Sequence, residues 1–177
     1  VLARVRRRAP WIIRQKNYFD KFKPLLPPRQ YVSGETHVYL GRQYRLKVIR
    51  AKEESVKLKG KYLEVRTTDK TDSERIKALV ENWYKEHARA IYEKRLESCY
   101  KVAKKYGVPY PGIKMRRMKT RWGSCSKSGD ILLNTELIKA PIHCVEYVIM
   151  HELCHLKFRN HDKEFYKLLS RCMPDWE

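Results

Sequence analysis

Long apolar runs are missing from this chain. None approaches the roughly 18 residues that a membrane-spanning helix requires, so no helical span is expected. Cysteine is sparse and badly spaced for pairing: Cys99, Cys125, Cys144, Cys154 and Cys172 are odd in number and contain no CxxC. That argues against a disulfide framework or a second structural zinc, and for a reducing, cytoplasmic compartment. Acidic residues are half as frequent as basic ones, 20 against 40, for a net charge of +20 over 177 residues. Such an excess favours polyanionic partners, either nucleic acid or an acidic protein surface, although basic residues spread along a whole chain also describe a solvated surface. The opening VLARVRRRAPWII is basic, but its apolar piece is too short for a signal peptide. Val1 is not an initiator, which leaves room for residues upstream. The length suits one domain with a real core.

The expected organisation is α+β over a single domain, 1–177. Residues 1–70 read as a basic N-terminal helix and sheet, and 71–177 as a backing helix, a cleft strand and metal-binding helices. In 1–30, Trp11, Phe19 and Phe22 share a rough helical face and Pro27-Pro28 ends the segment. Arg6, Arg7 and Arg8 suit either a nucleic-acid-binding arm or the solvated rim of a packed helix. Between 31 and 68, Val38 and Leu40, then Tyr44, Leu46 and Val48, alternate at period two around Gly41. Val56, Leu58, Leu63 and Val65 do the same around Gly60, which predicts an antiparallel sheet of hairpins. Its polar positions carry Arg42, Arg45, Lys47, Arg50, Lys57, Lys59 and Lys61, a face able to hold a phosphate backbone or simply to meet water.

A long helix is predicted over 72–106. It starts with a Thr71/Glu74 capping box, is backed by Ile76, Leu79, Val80, Trp83, Ala90, Ile91 and Val102, and stops at Gly107. His87 lies among charged residues and reads as a surface histidine. Strand returns at 110–139, with a turn at Gly129-Asp130 and an apolar Ile131-Leu132-Leu133. A strand just before the next helix has a natural role along a substrate cleft, its edge pairing with an extended peptide; an interior strand is the alternative. Arg121-Trp122-Gly123-Ser124-Cys125 is too specific in composition to be filler, yet spacing assigns it no chemistry. Cys125 reads as a buried thiol before a metal ligand.

Pro141 is expected at the first position of the next helix, whose buried stripe is Val145, Val148, Ile149 and Leu156. That helix carries HELCH. Residues four apart share a helical face, so His151 and His155 can direct imidazole nitrogens at one ion. Glu152 then sits where it can reach an attacking water without being a ligand, the arrangement of a zinc hydrolase with a glutamate general base. His161 is the expected third ligand, with Asp162 and Glu164 as carboxylate rivals. Its approach requires a turn soon after His155. No glycine lies between the two histidines, so Asn160 is the expected left-handed residue. Asp162 should cap a last helix with Phe165, Leu168 and Leu169 inward, and Tyr166 is a candidate oxyanion donor by proximity. His143, two turns before His151, is not expected to bind the ion.

The set RWGSC (121–125), LLNTEL (132–137), AP (140–141), YVIMHELCHL (147–156), NH (160–161) and PDW (174–176) resembles the YgjP-like metallopeptidases. The resemblance implies a zincin-like fold in which one zinc ion is bound by His151, His155 and His161, with Glu152 as base. It also implies kinship with SprT-like proteases, which act on proteins crosslinked to DNA. The expected function is therefore a zinc metallopeptidase acting on protein or peptide, with nucleic acid a further candidate partner through the basic surface. The alternative is a basic nucleic-acid-binding or DNA-processing accessory protein whose zinc site is structural or inactive.

Overall fold

The computed structural model describes residues 2–20, 28–126 and 128–176. Two units divide the chain, 1–30 and 31–177. In the first, helix α1 (Leu2–Asp20) runs through Pro10 and leaves Trp11, Ile12, Ile13 and Tyr18 exposed. The expected partners Phe22 and Pro27, and the side chain of Phe19, lie outside the described residues.

The second unit begins with four strands: β1 (Thr36–Tyr39), β2 (Arg42–Arg50), β3 (Ser55–Lys59) and β4 (Tyr62–Thr67). Their order is β1-β2-β4-β3. Both hairpins are antiparallel, but β2 and β4 pair in parallel, Leu46 opposite Leu63 and Val48 opposite Val65. The sheet is therefore mixed rather than antiparallel throughout. Burial explains the order. Leu46, Val48, Leu63 and Val65 are all buried, so the two strands carrying them take the centre, and β3 with Lys57 and Lys59 takes an edge. Lysine on an edge strand also discourages pairing with a second chain.

Helix α2 (Ser73–Ala103) follows, with a 3₁₀ turn Lys104–Tyr106 and a stop at Gly107. Its cap is Asp72, whose carboxylate accepts from Arg75 N at 2.8 Å, rather than Thr71. Thr71 is held instead by Asp69, which accepts from both its N–H and its hydroxyl. Ile76, Val80 and Trp83 are buried as expected, but the small inward residue is Ala88, and Ala90 faces solvent. Tyr92 is fully buried and its hydroxyl donates to Asn134 O at 2.9 Å, so the helix grips the chain that precedes the metal helix. His87 is half-buried, its ring 4.0 Å from that of Trp83.

A three-stranded sheet comes next: β5 (Ile113–Arg116), β6 (Gly123–Cys125) and β7 (Ile131–Asn134), in the order β5-β7-β6. β7, the strand expected to offer its edge to substrate, is interior, parallel to β5 and antiparallel to β6. Its Ile131 and Leu133 are fully buried. The strand at the edge beside the metal helix is the short β6, from the RWGSC segment.

A 3₁₀ turn (Thr135–Lys139) leads to α3 (Ile142–His155), and α4 (Lys163–Cys172) closes the unit. Pro141 is the residue before α3, one position earlier than expected, and its carbonyl accepts from Val145 N at 3.2 Å. The β1–β2 turn fixes this start. Leu40 and Gly41 have φ of 48° and 76°, the two left-handed residues of a tight hairpin turn. Their N–H groups donate to Ile138 O (2.9 Å) and Lys139 O (3.0 Å). A Cβ at residue 41 would lie 2.9 Å from Pro141 Cγ, so only glycine allows the hairpin to seat against the helix start.

Candidate metal centre

α3 delivers His151 and His155 one turn apart, and the loop after it returns His161 to them. The three Nε2 atoms are 3.1, 3.1 and 2.9 Å from one another. Three imidazole nitrogens cannot all satisfy one another with the few protons they carry. Zinc at about 2.05 Å from each nitrogen requires N···N edges of about 3.3 Å, so the triangle fits one face of a tetrahedron and leaves the fourth vertex for water or substrate. Among the described residues these three histidines are the group able to hold a metal, and neither Asp162 nor Glu164 joins them. Asp162 caps α4, accepting from Phe165 N at 3.0 Å. Glu164 points to Lys167 and is well exposed.

The surroundings prepare the nitrogens. Nδ1 of His155 donates to Phe158 O at 3.0 Å, which leaves Nε2 with its lone pair free for a cation. Burial, then repulsion from His155 and His161, lowers His151 to about 4, so the imidazole is neutral near pH 7. Phe165 is fully buried beneath the cluster, its ring 4.9, 4.6 and 4.8 Å from those of His151, His155 and His161. An aromatic floor of this kind limits the rotamers of all three histidines.

The turn between His155 and His161 does not use Asn160. Among the described residues other than glycine, only Tyr31 and Leu40 have positive φ. α3 ends instead by tightening: Leu156 N bonds to Leu153 O, and Lys157 and Phe158 both bond to Cys154 O. The residues that remain before His161 are enough to reverse direction without a left-handed step, and Lys157 Nζ anchors the loop on Tyr106 O at 2.6 Å.

Glu152 is 6 % exposed. Burial raises its carboxyl to about 7, against the opposing pull of the nearby Arg121 guanidinium. Gly123 of β6 lies directly against it: a Cβ there would be 2.8 Å from Oε1 and 2.9 Å from Cγ of Glu152, and 3.0 Å from Val148 Cγ1. Gly123→Ala must displace the Glu152 side chain and crowd Val148, or else part strand from helix. It is expected to cost about 1–3 kcal/mol of stability and to lower kcat/KM about tenfold or more while metal content is kept. Unchanged melting and kinetics would show that this close approach is dispensable.

Asn134 explains why LLNTEL accompanies RWGSC. Buried at the end of β7, it donates to Met118 O and Arg121 O at 2.8 Å each, accepts from Glu136 N at 3.1 Å, and bonds through its own N–H to Trp122 O. One amide thus ties the irregular approach to β6 onto the interior strand. The resulting cleft of about 550 Å³ is lined by Arg121, Gly123, Ser124 and Cys125 on one side and by His151, Glu152, His155 and Arg159 on the other. Spacing singles out none of Arg121, Ser124 and Arg159; the composition of RWGSC is the available signal for the first two, and Arg159 has none. Cys125 is half-buried in this wall, outside the ligand group, with burial and then Glu152 raising its thiol. Tyr166 lies on α4 beside the site, 6.1 Å from the His161 ring and 5.6 Å from Trp176, outside the lining of the cleft. His143 is exposed and away from the cluster.

A family model for the YgjP-like metallopeptidase domain matches residues 1–177. The chain belongs to the YgjP-like metallopeptidases. No curated protein matches it. Among solved structures, it is similar to the metallopeptidase zymogen abylysin of Pyrococcus abyssi, with 25 % identity over 47 % of this chain and 80 % of that one, at a TM-score of 0.42. Membership makes this chain a metal-dependent peptidase at the level of the family, with protein or peptide substrates. No described helix of this YgjP-like chain is long and apolar enough to cross a membrane.

Proposed function

We propose that this chain is a zinc-dependent peptidase in which His151, His155 and His161 hold one ion and Glu152 is the general base. The observation that carries this reading is the triangle of Nε2 atoms at 2.9–3.1 Å, with the buried Glu152 next to it in an open cleft. Bound zinc supplies Lewis acidity that acidifies water and polarises a carbonyl. The remaining steps belong to the chain. The edge of β6 offers backbone groups to an extended peptide. Glu152, with its carboxyl tuned near neutrality, takes a proton from the attacking water and passes it to the leaving amine. Tyr166 is the candidate donor to the developing oxyanion, supported by its place beside His161; a Tyr166→Phe variant with unchanged kcat would remove it from that role. All five cysteines are free thiols, which supports a reducing, cytoplasmic setting.

Chelation separates this reading from a structural zinc. The core is built from α2, the two sheets and the inner faces of α3 and α4 without the ligands. EDTA is therefore expected to abolish cleavage of casein and lower the melting temperature, yet leave a cooperative unfolding transition. Collapse to an unfolded chain on metal removal would make the site structural.

A second reading, association with nucleic acid, is favoured by the outer face of the four-stranded sheet. There Arg45, Lys47, Lys57, Lys59 and Arg66 surround the single acidic residue Glu64. The same casein assay with single-stranded DNA tests it: stimulation that fades steeply with salt supports it, and an unchanged rate removes it.

A further inference from the structure

β6 and α3 run beside one another as two walls of one trough. On the strand, Gly123 to Cys125 face the metal cleft, as do His151, Glu152 and His155 on the helix. Just before these residues on both walls lies a second cavity of about 510 Å³. Trp122 bounds it on the strand side, Tyr147 and Val148 on the helix side, and Met173 and Trp176 from the C-terminal segment complete the lining. The two cavities are neighbours: Trp122 and Tyr147–Val148 line the second, Gly123 and His151–Glu152 the first, and Val148 Cγ1 lies against Gly123 between them.

The second cavity differs from the first in chemistry. Its walls are mainly apolar and aromatic, with Tyr147 and Trp176 near-parallel at 6.4 Å. Asp175, the one acidic group at its margin, is exposed. Trp122 has 56 % of its surface in water, so an apolar group seated against it would take that surface out of solvent. The Tyr147 ring is also 5.7 Å from that of His151. One helical turn separates these residues, about 6 Å along the axis, a distance an extended peptide spans in about two residues.

We propose that this cavity is a specificity pocket that takes a large apolar or aromatic side chain of the polypeptide substrate, within two residues of the scissile bond. The inference rests on the peptidase reading and names what that peptidase selects. A peptide paired to the edge of β6 with a carbonyl at the metal site has successive side chains directed alternately to its two faces, so one of the residues next to the scissile bond presents its side chain to the helix side of the trough. The apolar recess beside the metal cleft that can receive it is the one walled by Trp122, Tyr147 and Trp176.

The zinc-loaded full chain is incubated with a mixed peptide library, with Glu152→Gln as the blank, and cleaved bonds are mapped by mass spectrometry. Phe, Tyr, Trp, Leu or Met should be enriched at one fixed position within two residues of the cut. Between matched peptides with Phe or Ala at that position, kcat/KM should differ by tenfold or more. Trp122→Ala should shrink that ratio to about twofold, and Trp122→Phe should restore most of it. Cleavage without enrichment, or a ratio insensitive to Trp122→Ala, overturns the pocket and leaves the peptidase reading standing. No cleavage of any peptide by metal-loaded protein overturns the peptidase reading, and the pocket with it.

Discussion

Glu152→Gln is expected to bind zinc as the wild type does and to lose peptide hydrolysis by about 10²–10⁴-fold, the usual worth of a positioned general base. The amide has nearly the same volume, so β6 still packs on α3 through Gly123, and the histidine triangle is untouched. The amide, however, cannot accept the proton of the attacking water. A second readout uses the metal-free protein. Glu152 has a folded value of about 7 against an ordinary value near 4.5, because burial penalises its charge. The folded state therefore holds a proton between pH 4.5 and 7 that the unfolded chain has released, and stability falls as pH rises through this window. The full penalty, about 3 kcal/mol, is present above pH 7. His151 acts in the opposite direction: lowered to about 4, it draws stability away as pH falls below its ordinary value of 6.5. Comparing Glu152→Gln with wild type cancels the histidine. Metal-free Glu152→Gln should be more stable at pH 8 by about 2–3 kcal/mol, with the difference gone near pH 4. Chemical denaturation at the two pH values measures it. A variant that hydrolyses at the wild-type rate removes Glu152 as base; equal stabilities at pH 8 remove the buried charge.

The parts of the site that were legible in the sequence are those set by spacing along one element. His151 and His155 share a helical face whatever the rest of the chain does, and Phe165 follows from the amphipathic pattern of α4. The parts that were not legible depend on pairing between distant segments. Alternation at period two is the same for parallel and antiparallel neighbours, so nothing in Leu46, Val48, Leu63 and Val65 announces that β2 and β4 run in parallel. β7 is apolar and precedes the metal helix, which makes it an attractive cleft strand. Only the β5-β7-β6 order shows it to be interior. β6, the real wall, has three residues, Gly123, Ser124 and Cys125, with no apolar face to detect. Its place is set by Asn134 from one side and by the absence of a side chain at Gly123 from the other. The turn to His161 departs from the expected left-handed Asn160 for a related reason. A left-handed residue is required only where reversal must occur in one or two steps, and here tightening of the last turn of α3 and a longer loop remove that need.

His161→Ala should reduce zinc affinity more than about 100-fold, a larger loss than the 10–100-fold of outer-shell partners, and leave the fold intact. His161 is an exposed loop residue whose ring rests on Phe165, so truncation in the metal-free protein should change stability by about 0.5 kcal/mol or less. The rival ligands fail on geometry. The carboxylate of Asp162 is committed to the N-terminus of α4. Asp162→Asn should keep a good cap and full zinc content, whereas Asp162→Ala should cost about 1 kcal/mol of stability with zinc content still full. Glu164 stands on the exposed side of α4 with Lys167, so Glu164→Gln should leave zinc and stability unchanged. Competition with a chromophoric chelator gives the affinities, and thermal melting of the metal-free proteins gives the stabilities. The pattern matters more than any single value. Loss of metal in His161→Ala alone assigns the third ligand. Loss in Glu164→Gln with retention in His161→Ala would require α4 to rotate toward the cleft, breaking the contacts of Phe165 with the three imidazoles. His161 is carried on a loop rather than on α3, so its removal leaves His151 and His155 in place on the helix. Residual two-histidine binding should therefore persist at high metal concentration, while hydrolysis is lost because the ion is no longer held against Glu152.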